Sequence, residues 1–253
     1  MEYAAANRDI WNADAPNWVE RGRAMWHRAD PVWGCWDTHE AQVQMLPADM
    51  TGMNAVELGC GTGYVSAWMA RRGATVTAID LSPEQLATAR ALHAKDPLDI
   101  TFLEANAEQT GLPDAAFDFA ISEYGASIWC PAEAWLAEAA RLLKPGSTLV
   151  FLGNHPLSLI CAPLSGAPAD RILHRPYRDM WGADWRDVEI EPTGICFNLT
   201  FQGWMDVFAR CGFTVQGYKE LYARPDAEGI IAAVPADWAK DYPVKQVWWL
   251  RRA

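Results

Sequence analysis

The chain has 253 residues, is 51% hydrophobic, and carries a formal net charge of −11 at pH 7. That length suits one large α/β domain or a domain with a sizeable insertion. No apolar stretch is long enough to span a bilayer, and Met1-Glu2-Tyr3-Ala4-Ala5-Ala6-Asn7-Arg8-Asp9 has no basic region leading into an apolar one, so neither a membrane span nor a secretory signal is expected. So acidic a chain, with no long basic stripe, repels phosphate backbones and argues against nucleic acid as a partner. The six cysteines form no Cys-x-x-Cys pair and share no metal-ligand spacing with the histidines. They read as reduced thiols of a cytoplasmic protein, with no metal expected. Cys130 precedes Pro131, the reverse of the Pro-Cys order used by cysteine nucleophiles acting on pyrimidine carbon; Pro131 reads instead as a helix opener.

In chain order, Tyr3 to Leu46 reads as helical in pieces. Asp37-Thr38-His39-Glu40 is placed to cap a helix running to Leu46, and a turn-rich aromatic loop from Asp30 to Trp36 precedes it. Met53 to Leu58 reads as the first strand. A helix follows from Gly63 to Arg72, then a second strand from Thr75 to Ile79. Ser82, Pro83 and Gln85 supply an N-cap, a first helical position and a capping box for a helix to about Lys95. Asp99 to Glu104 and Phe117 to Ser122 read as the third and fourth strands. Pro131 to Leu143 reads as a helix, and Thr148 to Leu152 as the fifth strand. Strands alternating with helices at this spacing mean βαβ units and a parallel sheet. From Gly153 to Thr200 the pattern breaks into Pro- and aromatic-rich short elements, as in an insertion over a ligand-binding edge. A helix from Gln202 to Cys211 and strands from Phe213 to Glu220 and Gln246 to Arg251 complete the chain, the two strands as an antiparallel hairpin.

The most informative run is Glu57-Leu58-Gly59-Cys60-Gly61-Thr62-Gly63, where a strand ending in an acidic residue meets three alternate glycines. Glycines there let the chain turn tightly and let a ligand touch bare backbone. Asp80 ends the second strand, where a nucleoside-binding sheet offers a carboxylate to ribose hydroxyls. The dinucleotide fingerprint would need glycine where Tyr64 stands, and no phosphate-loop Gly-Lys-Ser/Thr is present, which argues against a nicotinamide oxidoreductase. Fourteen tryptophans are many for this length; Trp11, Trp18, Trp26, Trp33 and Trp36 precede the sheet, and Trp181, Trp185 and Trp204 follow it. Such side chains fill cores and line pockets alike.

The Glu57–Gly63 run resembles motif I of the class I S-adenosylmethionine (AdoMet) methyltransferases, in the small-molecule branch that includes ubiquinone and menaquinone biosynthesis enzymes. Ala78-Ile79-Asp80-Leu81-Ser82 is similar to motif II. Glu104-Ala105-Asn106-Ala107-Glu108, with Leu112-Pro113-Asp114, resembles the adenine-holding stretch, and Leu143-Lys144-Pro145-Gly146 the turn before strand five. Ile121 to Trp129 looks like an uncharacterised bacterial subgroup with Trp-rich N-terminal helices. The resemblance implies a Rossmann-like α/β fold: a seven-stranded, mostly parallel sheet of order 3-2-1-4-5-7-6 with an antiparallel last strand. Within a single domain it implies an N-terminal helical lid (1–50), an AdoMet-binding core (51–152), a substrate-lid insertion (153–200) and a sheet-completing C-terminus (201–253).

By the same resemblance AdoMet is the cofactor. Its contacts are assigned to Glu57, Gly59, Cys60, Gly61, Gly63, Asp80, Leu81, Gln85, Asn106, Ala107, Glu108, Ser122 and Glu123. Asn106 stands where many members have Asp, and its oxygen can still accept the adenine amino proton. The implied reaction is methyl transfer to oxygen or nitrogen of a small, largely apolar or aromatic metabolite. Alternatives are carbon methylation of a quinone-like ring and a non-catalytic AdoMet-binding regulator. Alignment and exclusion of water carry most of such a reaction, and a base helps where the acceptor holds a proton. His155, just after the fifth strand, and Tyr124, just after the fourth, are the candidate catalytic residues. Trp26, Trp33, Tyr177 and Trp181 are the candidate substrate-binding residues. The oligomeric state is not legible.

Overall fold

The computed structural model describes residues 2–190 and 193–253; Met1, Glu191 and Pro192, which fall within the expected lid and insertion, lie outside the described residues. Its centre is one seven-stranded sheet: β1 Asn54–Leu58, β2 Thr75–Asp80, β3 Ile100–Glu104, β4 Phe117–Glu123, β5 Leu143–Asn154, β6 Phe213–Leu221 and β7 Lys245–Arg252. The order across the sheet is β3-β2-β1-β4-β5-β7-β6, as the family resemblance implies. All neighbours pair in parallel except β7, which runs antiparallel to both β5 and β6. Helices pack on both faces, so the central strands β1 and β4 are almost wholly buried, while the edge strands β3 and β6 are partly exposed.

The helices are α1 Glu2–Trp26, α2 Tyr64–Arg71, α3 Pro83–Lys95, α4 Gly125–Trp129, α5 Ala132–Leu142, α6 Pro156–Ile160, α7 Phe201–Arg210 and α8 Ala236–Asp241. One core layer joins Trp26, Trp33, Trp68, Met69 and Leu86 to one face of the sheet. The other packs Trp135, Leu136, Trp204 and Phe208 from α5 and α7 against Phe151 and Trp248. Trp204 and Phe208, one helical turn apart, stack with centroids 5.6 Å apart, and both meet Phe151.

Of the local expectations one holds and two are corrected. The N-terminus is helical in pieces: a short helix at Glu40–Val43 and, before it, α1, one 25-residue helix that continues through Pro16. It packs across α2 and α3, and this tertiary burial outweighs the hydrogen bond that proline removes. The helix expected to reach Leu46 stops at Val43, because Glu40 folds back on the chain. Its carboxylate accepts from the Met45 and Leu46 amides at 2.9 and 3.0 Å and from Trp33 Nε1 at 2.6 Å, and Gln44 turns left-handed at φ 62°. The capping box at α3 is half formed. Ser82 Oγ accepts from the Gln85 amide at 3.1 Å, but the Ser82 amide donates to Asp80 Oδ1 at 2.8 Å instead of to Gln85. Among the described residues no helix is long and apolar enough to cross a membrane.

Candidate active site

The carboxyl ends of β1, β2 and β4 converge on the glycine loop. Gly59 and Cys60 amides both donate to the Ile79 carbonyl at 2.8 Å, tying the loop to β2. Gly59, at φ 82°, has no space for a side chain: a Cβ there would stand 2.4 Å from the Gly125 Cα. Asp80 fixes the loop from the other side, one oxygen accepting from the Gly61 amide at 2.7 Å and the other from Ser82. Above the loop lies α1, close enough that a Cβ on Gly22 would meet the Thr62 side chain at 2.6 Å.

A cavity of about 140 Å³ opens here. Of the residues assigned to the cofactor from sequence, Glu57, Gly59, Cys60, Gly61, Asp80, Leu81, Gln85, Asn106, Ala107, Glu108 and Glu123 line it. Gly63 and Ser122 do not. Gly63 is the N-cap of α2 at φ 78°, packed on the Phe102 ring. Ser122 is fully buried, donates to the Leu58 carbonyl at 2.7 Å and accepts from the Ser127 amide. Both shape the loop from behind. Asn106 Oδ1 accepts from the Glu108 amide at 3.0 Å, an Asx turn that leaves one lone pair for a ligand.

The cavity is strongly acidic. Glu57 and Glu123 are buried and Asp80 is half-buried, and desolvation raises each carboxyl pKa above its ordinary range. The neighbouring Glu123 and Asp80 charges push Glu57 further in the same direction. Tyr64 Oη donates to Glu123 at 2.5 Å and Ser66 Oγ donates to Glu57. Glu108 accepts from Tyr3 Oη at 2.6 Å, while its other oxygen and Thr62 Oγ1 are buried without a hydrogen-bond partner. Among the described lining residues Arg8 is the one formal cation. A wall with this charge excess favours a cationic guest, and a ligand bearing both an ammonium and a sulfonium fits it.

A second chamber of about 540 Å³ adjoins the first. Trp11, Trp18, Tyr64, Tyr124 and Trp129 line both and form the passage between them. Trp11 and Trp18 lie seven residues apart on one face of α1, with centroids 5.8 Å apart, and Trp11 meets Trp129 edge-on at 5.1 Å. Tyr124 sits at this junction in a rare backbone state, φ 60° and ψ −55°, as N-cap of α4. Its hydroxyl is buried without a hydrogen-bond partner, and burial holds its pKa well above the usual tyrosine value, so it is a neutral donor. Lys245 Nζ lies 4.9 Å from its ring centroid and donates to Asn154 Oδ1 at 2.6 Å.

The other expected site residues lie outside both chambers. His155 lines neither chamber. It caps α6, Nδ1 accepting from the Leu157 amide at 3.1 Å, and its ring packs edge-on against Phe201. Nε2 stands 3.4 Å from Glu220 Oε1, too poorly aligned for a hydrogen bond. Burial pushes its pKa down to about 4 against the opposing pull of Glu220. Trp26 and Trp33 are fully buried core residues, bonded through Nε1 to Asp96 and Glu40. Tyr177 and Trp181 are exposed and outside both chambers; Tyr177 Oη accepts from the Phe201 amide. Sequence reading missed Tyr64, Trp129, Arg21 and Lys245 as lining residues. The shared helical face of Trp11 and Trp18 was the available signal for the aromatic gate.

Comparison with known proteins agrees with this geometry. A family model described as "Methyltransferase domain" matches residues 56–151. A ubiquinone biosynthesis O-methyltransferase of Xanthomonas oryzae pv. oryzae is 31% identical over 181 residues, 69% of each chain. A malonyl-[acyl-carrier protein] O-methyltransferase of Pectobacterium atrosepticum is 34% identical over 127 residues, 47% of this chain; the chain thus spans about half, 48%, of that relative's length. The crystal structure of an S-adenosylmethionine-dependent methyltransferase from Mesorhizobium loti superposes with a TM-score of 0.66 at 26% identity, covering 84% of this chain and 96% of that one. The fold and the acidic nucleoside cleft are those of a class I AdoMet methyltransferase. The chain belongs to the AdoMet-dependent methyltransferases.

Proposed function

We propose that this protein transfers a methyl group from AdoMet to an oxygen or nitrogen of a small, largely apolar or aromatic metabolite, acting in the cytoplasm as a single domain. The observation that carries the reading is the pair of chambers meeting at Tyr124 and Trp129. A regulator that only bound AdoMet would need no second chamber with room for an acceptor. Both curated relatives are O-methyltransferases by name, which favours oxygen. Six free cysteines suit a reducing compartment.

The cofactor, when bound, supplies an electrophilic methyl on a positively charged sulfur. On this reading Asp80 takes the ribose hydroxyls, and Asn106 and Ala107 meet the adenine edge. Glu57 and Glu123 supply the negative field that favours a cation at the mouth of the glycine loop. The Trp11, Trp18 and Trp129 rings wall the junction, exclude water and hold an apolar acceptor in line with the methyl. Residues 1–50 and 153–200 form the lid on this reading, since Trp11, Trp18 and Arg21 of α1 and Leu159, Trp185 and Cys196 of the insertion line the second chamber.

The test is incubation of purified protein with isotopically labelled AdoMet and fractionated metabolite extracts, followed by identification of the labelled product. A label on oxygen or nitrogen of a small metabolite is the expected result. A label on carbon, or AdoMet binding with no transfer to any fraction, would overturn it.

A further inference from the structure

The two chambers carry opposite charge. The first has Glu57, Asp80, Glu108 and Glu123 in its wall against Arg8. Among the described residues lining the second there is no aspartate or glutamate, and there are two cations, Arg21 and Lys245. In a chain of net charge −11 that segregation runs against the composition. Arg21 is half-exposed and lies 3.6 Å from Asp37. Lys245 is different: it is only 8% exposed, and among the described residues no carboxylate lies within 4.0 Å of its Nζ. Its ammonium donates to the Asn154 side chain and lies near the Tyr124 ring; the Glu123 carboxylate acts on it only from beyond ion-pair distance, so among the described residues it has no direct anionic partner. A buried cation in an apolar wall is costly unless something pairs it. The Tyr124 hydroxyl beside it is a second buried donor with no partner. Both residues line the chamber that the proposed reaction reserves for the acceptor.

The geometry points to an acceptor that enters as an oxyanion, a carboxylate or an acidic aromatic hydroxyl ionised at neutral pH, paired with Lys245 and oriented by Tyr124. This rests on the methyltransferase reading and specifies its substrate class. An oxygen lone pair of the anion forms the new O–CH3 bond while the CH3–S bond breaks. The bonding pair moves to sulfur, which becomes a neutral thioether. The acceptor brings no proton to the reacting oxygen, so no general base is needed at this step. The methylated product is neutral at that oxygen and loses its attraction to Lys245, which favours release. The opposed fields also sort the two substrates, a cationic methyl donor to the glycine loop and an anionic acceptor to the far chamber.

The test is equilibrium binding to protein saturated with S-adenosylhomocysteine, read by quenching of tryptophan fluorescence. The probes are matched aromatic pairs: benzoate, 2-naphthoate and 4-nitrophenolate against benzamide, 2-naphthamide and nitrobenzene. We expect at least one anion to bind 10-fold or more tighter than its neutral partner. Lys245→Met should abolish that preference and Lys245→Arg keep part of it, with S-adenosylhomocysteine affinity within twofold of wild type in both. Turnover products then divide the two acids, since a methyl ester is cleaved by mild alkali and an aryl methyl ether is not. Equal or tighter binding of the neutral probes by the wild-type protein would overturn the inference, as would an unchanged preference in Lys245→Met or the failure of every anion to bind. Failure to bind S-adenosylhomocysteine itself would instead strike the methyltransferase reading.

Discussion

Asn7 and Ile195 exchange hydrogen bonds in both directions: Asn7 Nδ2 donates to the Ile195 carbonyl at 3.0 Å, and the Ile195 amide donates to Asn7 Oδ1 at 2.8 Å. A third bond runs from Asn7 Nδ2 to the Trp129 carbonyl at 3.2 Å. One buried side chain on α1 thus mimics a strand edge and joins the N-terminal helix, the post-β5 insertion and α4, which are far apart in sequence. Because α1 residues line both chambers, the N-terminal segment and the insertion act as one wall over the cleft.

Asn7→Ala strands a buried amide and two carbonyls at once, so we expect a loss of about 1–3 kcal/mol of stability. The loss should be local in origin. Hydrogen exchange should accelerate at Ile195 and along α1 well before the sheet strands respond. Equal acceleration throughout the sheet would mean that the wall has no separate opening.

A second contact tests how α1 is seated. Gly22→Ala places a methyl within 2.6–2.8 Å of three Thr62 side-chain atoms. We expect destabilisation of about 1–3 kcal/mol by overpacking, together with weaker AdoMet binding, since Thr62 belongs to the glycine loop. Thr62→Gly removes all three atoms. In a double-mutant cycle it should recover much of the loss, leaving a coupling energy above ~0.5 kcal/mol. Simple additivity would place the strain elsewhere.

Asp80 bridges the Gly61 and Ser82 amides, so its substitution has two consequences. Asp80→Ala frees both amides and removes the carboxylate assigned to the ribose. Calorimetry with S-adenosylhomocysteine should show a loss of about 2–3 kcal/mol. Asp80→Asn keeps one acceptor and should lose less. Unchanged affinity in Asp80→Ala would move the ribose contact to another residue.

The sheet was legible in the sequence because its strands are apolar runs and its helices are punctuated by Gly63, Ser82-Pro83 and Gly212. The glycine loop was legible because bare backbone has a compositional signature. The second chamber was not. Its charge sits on Lys245 at the start of the last strand, its gate combines Trp11 and Trp18 of α1 with Trp129 of α4, and its far wall includes residues 231–234. No period or motif links such distant positions; tertiary packing alone brings them together. His155 shows the converse error. Its place after β5 suits a catalytic residue, but a histidine before Pro156 at a helix start also makes an N-cap, and here the local hydrogen bond wins.

That placement has a pH signature. His155 has a folded pKa of about 4 against an unfolded value of 6.5, so it is neutral when folded. Between those values the unfolded chain binds more protons. The stability contributed by the neutral ring is therefore fully present above pH 6.5 and is lost as pH falls towards 4, by up to about 3 kcal/mol. Acidification also relieves the buried carboxyls, whose folded pKa values are raised, so the histidine is read as a difference. His155→Asn keeps an N-cap acceptor and cannot titrate here. Urea unfolding of the two proteins should diverge in slope between pH 4 and 6.5, while turnover at neutral pH stays within a few-fold. Parallel stability curves, or a collapse of turnover in a folded His155→Asn, would restore the histidine to the chemistry.

Tyr124 should behave in the opposite way. Its hydroxyl is buried with no hydrogen-bond partner, and its backbone, at φ 60° and ψ −55°, is held in a sparsely populated region. Neither feature stabilises the fold. Tyr124→Phe removes an unpaired polar atom from an apolar site and should leave stability unchanged or raise it by about 1 kcal/mol. Tyr124→Gly relieves the backbone strain but opens the junction between the chambers. If the hydroxyl serves the acceptor, Tyr124→Phe should raise KM by roughly 10-fold, the value of one hydrogen bond to a charged group, with S-adenosylhomocysteine affinity unchanged. Tyr124→Gly should lower kcat as well, because alignment across the junction is lost. A Tyr124→Phe protein that is less stable, yet unaltered towards its acceptor, would assign the hydroxyl to the fold and leave Lys245 as the polar anchor of the second chamber.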